Sequence, residues 1–148
     1  MTNIGADRFL PARLSLPESA EAARSYKGCD LFRNATQTAF GAGRQGATYM
    51  FAGERPGDQE DRRGAPFVGP AGRMLDRGPE EAGIDRDFVY VTNGDKHFTF
   101  EPRGKRRIQQ KPTTAEIEHV GKIMLCGGHS LRGPVVREAR RRSDRSLR

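Results

Sequence analysis

The sequence predicts an α/β protein, because two short apolar segments with strand composition flank a segment with a helical pattern. Residues 47–53 (ATYMFAG) form an apolar run that ends at a Gly-Glu-Arg-Pro-Gly turn. Residues 87–93 (DFVYVTN) are rich in β-branched and aromatic side chains. Between them, a helical pattern follows the segment GPAGR and includes Met74 and Leu75. A buried strand that leads into a loop in this way is typical of α/β proteins.

Length and composition favour a single folded domain. The chain has 148 residues, of which 34% are hydrophobic and 30% are charged, with 18 glycines. This composition is polar and rich in turns, but it is not typical of wholesale disorder. No apolar run is long enough to span a membrane, and residues 1–14 lack the apolar core of a secretory signal. We therefore expect a cytoplasmic protein with no membrane partner.

We divide the chain into three segments: an N-terminal arm (residues 1–20), a main domain (21–136) and a basic C-terminal tail (137–148). A first helix is predicted to begin at Pro17 and Glu18, within PESAEAARSY. Pro79 is expected to kink the helix that follows GPAGR or to restart it, because proline lacks the helical donor. Residues 113–125 predict a further helix with a threonine cap.

Positive charge is concentrated in two places. The net charge is +7, and residues 103–111 contribute five basic side chains and no acid, while residues 137–148 contribute six basic and two acidic ones. Clustered basic charge favours a polyanionic partner, because phosphate contacts release counterions. Nucleic acid is the predicted partner. The alternative from composition alone is a solvated charge run and a frayed tail.

The segment between the two predicted strands combines carboxylates, an aromatic side chain and a glycine-rich helix start. Its first acidic residues are Glu54, Asp58, Glu60 and Asp61. Phe67 follows in PFVG, and backbone amides at the next helix start can receive an anion. Asn93 ends the second predicted strand, where α/β sheets place their sites. Taken alone, the acidic residues also fit a solvated loop, and Phe67 also fits a core position. The prediction of a site therefore depends on the order in which these features follow one another.

The chain resembles the uracil-DNA glycosylase superfamily, specifically its iron–sulfur family 4 branch and most closely the UdgX type. The matching segments are DLFRNATQTAFGAG, GERPGDQEDRRGAPFVGPAGRMLDR, EEAGIDRDFVYVTN, KHF and EPRGKRRI, between about Gly28 and Pro112. The resemblance implies a three-layer α/β sandwich around a short parallel sheet. It also implies excision of flipped uracil from DNA by hydrolysis of the N-glycosidic bond, as in base excision repair.

The resemblance assigns roles to five side chains of the pocket. Phe67 is expected to stack on uracil, and Asn93 to read its amide edge, because one amide offers both a donor and an acceptor. Glu54 and Asp58 are the expected carboxylates on the far side of the sugar, and His129 the donor to the departing base. His129 lies in HSLRGP, which is similar to the second motif of the family but lacks its proline. The alternative is a loop histidine flanked by glycine.

The basic loop is expected to bind uracil-containing DNA, preferably single-stranded, through Lys105, Arg106 and Arg107. In the UdgX type a histidine follows this loop and becomes covalently attached to the abasic sugar. Gln109 occupies that position here. An amide is a far poorer nucleophile than imidazole, so we expect covalent capture to be lost and water to complete the reaction.

The family also implies a [4Fe–4S] cluster held by four protein ligands. The corresponding positions here are Tyr26, Cys29, His97 and Val120, so only Cys29 and His97 can ligate metal. Cys126 is the second thiol of the chain, and its spacing does not match. We therefore expect no intact cluster, and each thiol is otherwise a buried apolar residue or a lone thiol.

Four residues connect Met124 to His129, where the family has further strands and helices. The predicted sandwich is therefore incomplete, and central deletion is expected to leave strand edges and helix faces uncovered. These departures leave two alternatives to an active glycosylase: a catalytically inactive relative that binds nucleic acid, or a truncated fragment.

Overall fold

In a computed structural model of the chain we describe residues 9–13, 15–28 and 30–110 together with the backbone of Val135–Arg137. These residues form a small α/β domain with two sheets. This confirms the predicted fold class. The predicted helix at 113–125 and the four-residue connection before His129 lie outside the described residues.

The larger sheet has four strands in the order Gly41–Ala42 (β1), Val89–Asn93 (β3), Tyr49–Gly53 (β2) and Val135–Arg137 (β6). Strand β2 (Tyr49–Gly53) and strand β3 (Val89–Asn93) are parallel, with Tyr49 opposite Val89 and Gly53 opposite Asn93. Strand β1 (Gly41–Ala42) pairs antiparallel with β3, and β6 (Val135–Arg137) pairs parallel with β2. The carboxyl ends of β2 and β3 therefore lie side by side. Of these strands, β1 and β6 were not predicted from the sequence.

Within the described residues, three α-helices accompany this sheet. Helix α1 spans Leu16–Ser25 and begins slightly earlier than predicted, because the Ser15 hydroxyl caps it by accepting from the Glu18 amide. Helix α2 spans Asp58–Arg63, within the acidic segment that looked like a loop. Helix α3 spans Pro70–Glu81 and continues through Pro79 without restarting.

A second sheet consists of the hairpin β4 (Phe100–Arg103) and β5 (Arg106–Gln109), in place of the predicted basic loop. Opposite pairs are Phe100 with Gln109 and Pro102 with Arg107 on one face. Because side chains alternate along a strand, Arg106 and Ile108 lie on the other face. Ile108 is 42% exposed, so that face is open to solvent.

The core lies around β3, whose five residues are all buried. Phe40 packs against two hydrophobic clusters. The first contains Ala23, Tyr26 and Leu31, and the second contains Leu16, Ala47, Met50 and Tyr90. These clusters attach α1 and the segment before β1 to the sheet. No helix in the described part of the chain is long and apolar enough to cross a membrane.

Candidate active site at the ends of strands β2 and β3

Pairing between β2 and β3 continues past the strands themselves. The Gly94 amide donates to the Gly53 carbonyl (2.8 Å), and the Asp95 amide donates to the Glu54 carbonyl (2.9 Å). A cavity of about 690 Å³ opens at this edge. Among its lining residues are Glu54, Asp58, Phe67, Asn93 and Gln109. The fold therefore brings together five of the predicted site residues.

Phe67 and Asn93 meet above Gly53. A Cβ atom added to Gly53 would lie 2.8 Å from the Phe67 Cζ atom and would overlap the Asn93 side-chain oxygen. Asn93 is only 3% exposed, so its amide is held at the buried end of the cavity. A planar ring beside a fixed amide can stack on a flat heterocycle and hydrogen-bond its edge. Glycine at position 53 is required for this close approach.

The backbone at Phe67 adopts a left-handed conformation, with φ of +56°. This conformation is uncommon for a residue with a side chain and costs roughly 1–2 kcal/mol. Helix α3 approaches closely here, because a Cβ atom on Gly72 would overlap the Phe67 carbonyl oxygen. The sequence shows a phenylalanine between proline and valine, but it does not reveal this backbone geometry.

Asp58 forms ion pairs with two arginines. Its carboxylate accepts from Arg62 Nε at 2.9 Å and from Arg107. Burial opposes ionisation of Asp58, but hydrogen bonds and charges from Arg62 and Arg107 lower its pKa below the usual value. Asp58 is therefore a carboxylate at neutral pH, and it is a weak proton acceptor because two cations hold its charge.

Arg107 lies against the protein body. Its guanidinium donates to Asp58 and, at 2.6 Å, to Asp61, and it lies over the rings of Phe98 and Phe100. Asp61 is fully buried, while 17% of the Arg107 side chain is exposed. Burial opposes the charge on Arg107, but both carboxylates raise its pKa. Lys105, Arg106 and Arg107 were predicted together to bind phosphates, but Arg107 is engaged in ion pairs within the protein.

Lys105 and Arg106 are exposed on the hairpin, at its turn and on its outer strand face. Gln109 lies on the same strand face as Arg107 and lines the cavity, and Gln110 lines it as well. The Gln110 amide donates to the Thr99 carbonyl at 3.0 Å, which closes the hairpin at this end. Glu54 is exposed at the cavity. Its carboxylate can therefore reach a sugar or a water molecule there.

A buried lysine lies beneath the site, and sequence reasoning did not single it out. Lys96 Nζ donates to the Asn93 carbonyl (2.6 Å), the Thr92 hydroxyl (2.5 Å) and the Phe40 carbonyl (3.0 Å). These three acceptors match the three donors of an ammonium group. Burial nevertheless lowers the pKa of Lys96 to about 7, while the charge of Asp95 raises it. Lys96 thus fixes the backbone of Asn93 from behind.

The described cluster positions face the core. Tyr26 is 2% exposed and its ring packs edge-on against Phe9 at 5.1 Å. His97 is 5% exposed, and its Nε2 atom lies 3.1 Å from the Thr38 hydroxyl. Burial lowers the pKa of His97 to about 4, against the charge of Asp61. The described residues contain no group of three or more His, Cys, Asp or Glu side chains that could hold a metal ion. Cys29, Val120, Cys126 and His129 lie outside the described residues.

Sequence reasoning also did not distinguish Glu60 and Asp61 from the other acids of this region. Both were grouped with Glu54 and Asp58 as acids of one loop. The structure buries Asp61 and Glu60 and leaves Glu54 exposed. A helix predicted over Asp58–Arg63 would have placed some of these acids on its buried face and others on its exposed face. The segment has no apolar residue, however, and so no hydrophobic pattern that would signal a helix.

Comparison with known proteins gives one family. A family model described as the uracil DNA glycosylase superfamily matches residues 40–133. The type-4 uracil-DNA glycosylase of Archaeoglobus fulgidus is 34% identical over 122 residues, which are 82% of this chain and 58% of that protein. The type-4 enzyme of Sulfurisphaera tokodaii is 42% identical over 80 residues, and that of Thermotoga maritima is 39% identical over 74 residues. These alignments cover 53% and 50% of this chain, and 36% and 38% of the two relatives. The chain therefore spans about a third to three-fifths of the length of these relatives.

Proposed function

Since this chain belongs to the uracil-DNA glycosylase superfamily, we propose that its cavity receives a uracil flipped out of DNA and that the N-glycosidic bond is hydrolysed there. The type-4 relatives confirm the expected family 4 branch. The UdgX type remains our proposal within that branch. It is supported by the GKRRI segment, which leads directly into Gln109.

The observation that carries the proposal is the meeting of Phe67 and Asn93 over Gly53 at the floor of the cavity. Uracil is a flat ring with adjacent donor and acceptor atoms on its edge. The Phe67 ring offers a stacking surface, and the buried Asn93 amide offers one donor and one acceptor. Lys96 keeps the Asn93 backbone in place through its bond to the carbonyl.

The reaction breaks the bond between C1′ and the base nitrogen, and the electron pair leaves with uracil. Water then bonds to C1′ and gives up a proton. Glu54 is our proposed acceptor of that proton, because it is exposed at the cavity while two arginines hold the charge of Asp58. Asp58 is proposed to stabilise positive charge on the sugar electrostatically. His129 stays the proposed donor to the leaving base.

DNA binding is proposed to use Lys105 and Arg106 on phosphates, preferably on a single strand, which needs no unpairing before the base enters the cavity. Arg107 is instead proposed to hold the hairpin against α2 through Asp58 and Asp61. Gln109 lines the cavity where the UdgX type has histidine, so the product is proposed to leave free rather than attached. A DNA substrate is consistent with the expected cytoplasmic location.

The two described ligand positions, Tyr26 and His97, supply no thiolate for an iron–sulfur cluster. The Tyr26 ring lies in a hydrophobic cluster. The Nε2 atom of His97 faces the Thr38 hydroxyl. A cluster needs thiolate or similar ligands at these positions. We propose that this chain holds its fold without a cluster, and no step of the reaction requires one.

The test uses a labelled single-stranded oligonucleotide carrying one uracil, with a thymine oligonucleotide as control. After incubation, half of each sample is treated with alkali and run on a denaturing gel. We expect alkali-dependent cleavage at uracil only. An uncleaved strand would overturn the proposal. If binding then proves independent of uracil and steeply dependent on salt, the chain is a nucleic-acid-binding relative that uses its basic hairpin.

A further inference from the structure

Glu60 is buried, lines the cavity and has no assigned role in the proposed chemistry. We propose that Glu60 is a positioning residue that sets the height of the Phe67 ring over the bound base. It does so by capping helices α2 and α3 with one carboxylate. This inference rests on the proposed function, since it concerns how the same cavity holds uracil.

The two oxygens of Glu60 bond to two different helix starts. Oε2 accepts from the Gly57 amide at 3.1 Å, and Oε1 accepts from the Gly69 amide at 2.9 Å. Gly57 precedes α2 and Gly69 precedes α3, and neither glycine has a side chain that could cap its helix. Helix starts have unpaired amides and favour negative charge. One carboxylate therefore satisfies donors of both helices.

The glycines on either side of this carboxylate are matched to it. A Cβ atom on Gly57 would lie 2.8 Å from Oε2, and a Cβ atom on Gly69 would lie 2.9 Å from Oε1. Both distances are shorter than real Cβ contacts allow. Gly57, Glu60 and Gly69 thus form one unit, in which the absence of side chains lets the carboxylate reach both backbones.

This unit closes the loop that carries Phe67. Phe67 lies two residues before Gly69 and keeps its strained φ of +56°. Its carbonyl is pressed against α3 at Gly72. If the Gly69 amide were released, the segment between α2 and α3 could relax toward an ordinary backbone conformation. The ring would then move away from Gly53 and Asn93, although both helices would still be present.

A double-mutant cycle tests whether Glu60 acts through Phe67. Glu60→Gln keeps the size of the side chain but replaces one acceptor oxygen by an amide nitrogen that cannot accept. On the uracil oligonucleotide, we expect Glu60→Gln to lower kcat/KM about 10-fold to 100-fold. In a Phe67→Leu background, we expect the same change to cost less than about 2-fold. Equal losses in the two backgrounds would overturn the proposal.

Matched variants separate positioning from loss of fold. Glu80→Gln removes an exposed carboxylate of α3 and is expected to leave kcat/KM unchanged. Glu60→Asp keeps the charge on a shorter side chain that reaches one glycine only, and we expect an intermediate loss. This variant takes the place of Glu60→Gln in the cycle if Glu60→Gln does not fold.

A second readout does not depend on activity, so failure of the proposed function is distinguishable. In NMR spectra of the intact chain, Glu60→Gln should speed hydrogen exchange at the Gly57 and Gly69 amides and shift the Phe67 ring resonances. Glu80→Gln should do neither. Unchanged Phe67 resonances in Glu60→Gln would overturn the positioning role, whether or not the wild-type chain excises uracil.

Discussion

Arg107 of the hairpin donates at 2.6 Å to the fully buried carboxylate of Asp61 in helix α2. This bond joins a segment that sequence analysis assigned to DNA with a segment assigned to the pocket. Asp61 also accepts from the Thr36 amide at 2.8 Å, so the carboxylate ties three parts of the chain together. Gln109 follows Arg107 by two residues on the same strand face, so this bond lies next to the part of the hairpin that lines the cavity.

Removing Arg107 is therefore expected to destabilise the fold. Arg107→Met leaves Asp61 buried without its cation, which should lower the free energy of unfolding by about 3 kcal/mol. Urea denaturation measures this change. Arg106→Met is the matched control, because the neighbouring side chain is exposed and its loss should stay within about 0.5 kcal/mol. Similar losses of unfolding free energy for the two variants would show that the Arg107–Asp61 pair does not hold the hairpin to helix α2.

Placing a nucleophile at position 109 is expected to produce covalent capture. In Gln109→His, an imidazole nitrogen can bond to C1′ after uracil leaves, in place of water. A protein–DNA band that survives denaturing electrophoresis should then appear with the uracil oligonucleotide and not with thymine. Gln110→His is the control, since it also lines the cavity but lies one residue further along. If both variants gave a protein–DNA band that survives denaturing electrophoresis, attack on C1′ would not be specific to position 109.

The exposed cations of the hairpin are expected to set the salt dependence of DNA binding. For single strands, the slope of log K against log salt is about −0.7 per phosphate contact. Replacing Lys105 and Arg106 together by glutamine should therefore reduce the slope by about 1.4. Fluorescence anisotropy across a salt series measures it. Arg24→Gln in α1 removes an exposed cation that pairs with Glu21, and it should leave the slope unchanged.

Stability is expected to rise with pH above neutrality because of Lys96. Burial lowers its pKa from 10.5 to about 7. Between these values the unfolded chain binds a proton at this side chain that the folded chain does not, so the free energy of unfolding increases with pH. The Tm at pH 9 should exceed that at pH 7, and Lys96→Met should remove the rise. Thermal melts followed by circular dichroism provide the measurement.

The other shifted groups titrate outside this window. Burial raises the pKa of Asp95 to about 6, so its contribution is lost as pH rises from 3.8 to 6. Burial lowers the pKa of His97 to about 4, so its contribution grows between pH 4 and 6.5. Burial raises the pKa of Tyr90 to about 12, which costs stability only above pH 10. A Tm that falls between pH 7 and pH 9 would contradict the role of Lys96.

Sequence reasoning found the two central strands, and it also found the two side chains that meet above Gly53 at the ends of these strands. Val89–Asn93 was recognised from its β-branched and aromatic composition, and the other strand from the apolar run that ends at Gly53. Both signals are local, so they can be recognised in the sequence alone. Phe67 and Asn93 followed from a resemblance carried by contiguous motifs. The hairpin was missed because Arg103, Lys105 and Arg106 favour solvent, and a polar strand pair has little apolar alternation.

What the sequence determined by itself was the α/β class and, through its contiguous motifs, the resemblance to the family, because composition and motif order are read along the chain. Phe67 and Asn93, which that resemblance singled out, do line the cavity. Only the tertiary structure decided the environment of each acid between positions 54 and 61. Glu54, Asp58, Glu60 and Asp61 are chemically similar neighbours, yet one is exposed, one is ion-paired, one caps two helices and one is buried under Arg107. Their partners come from segments up to 49 residues away, and such contacts leave no local pattern.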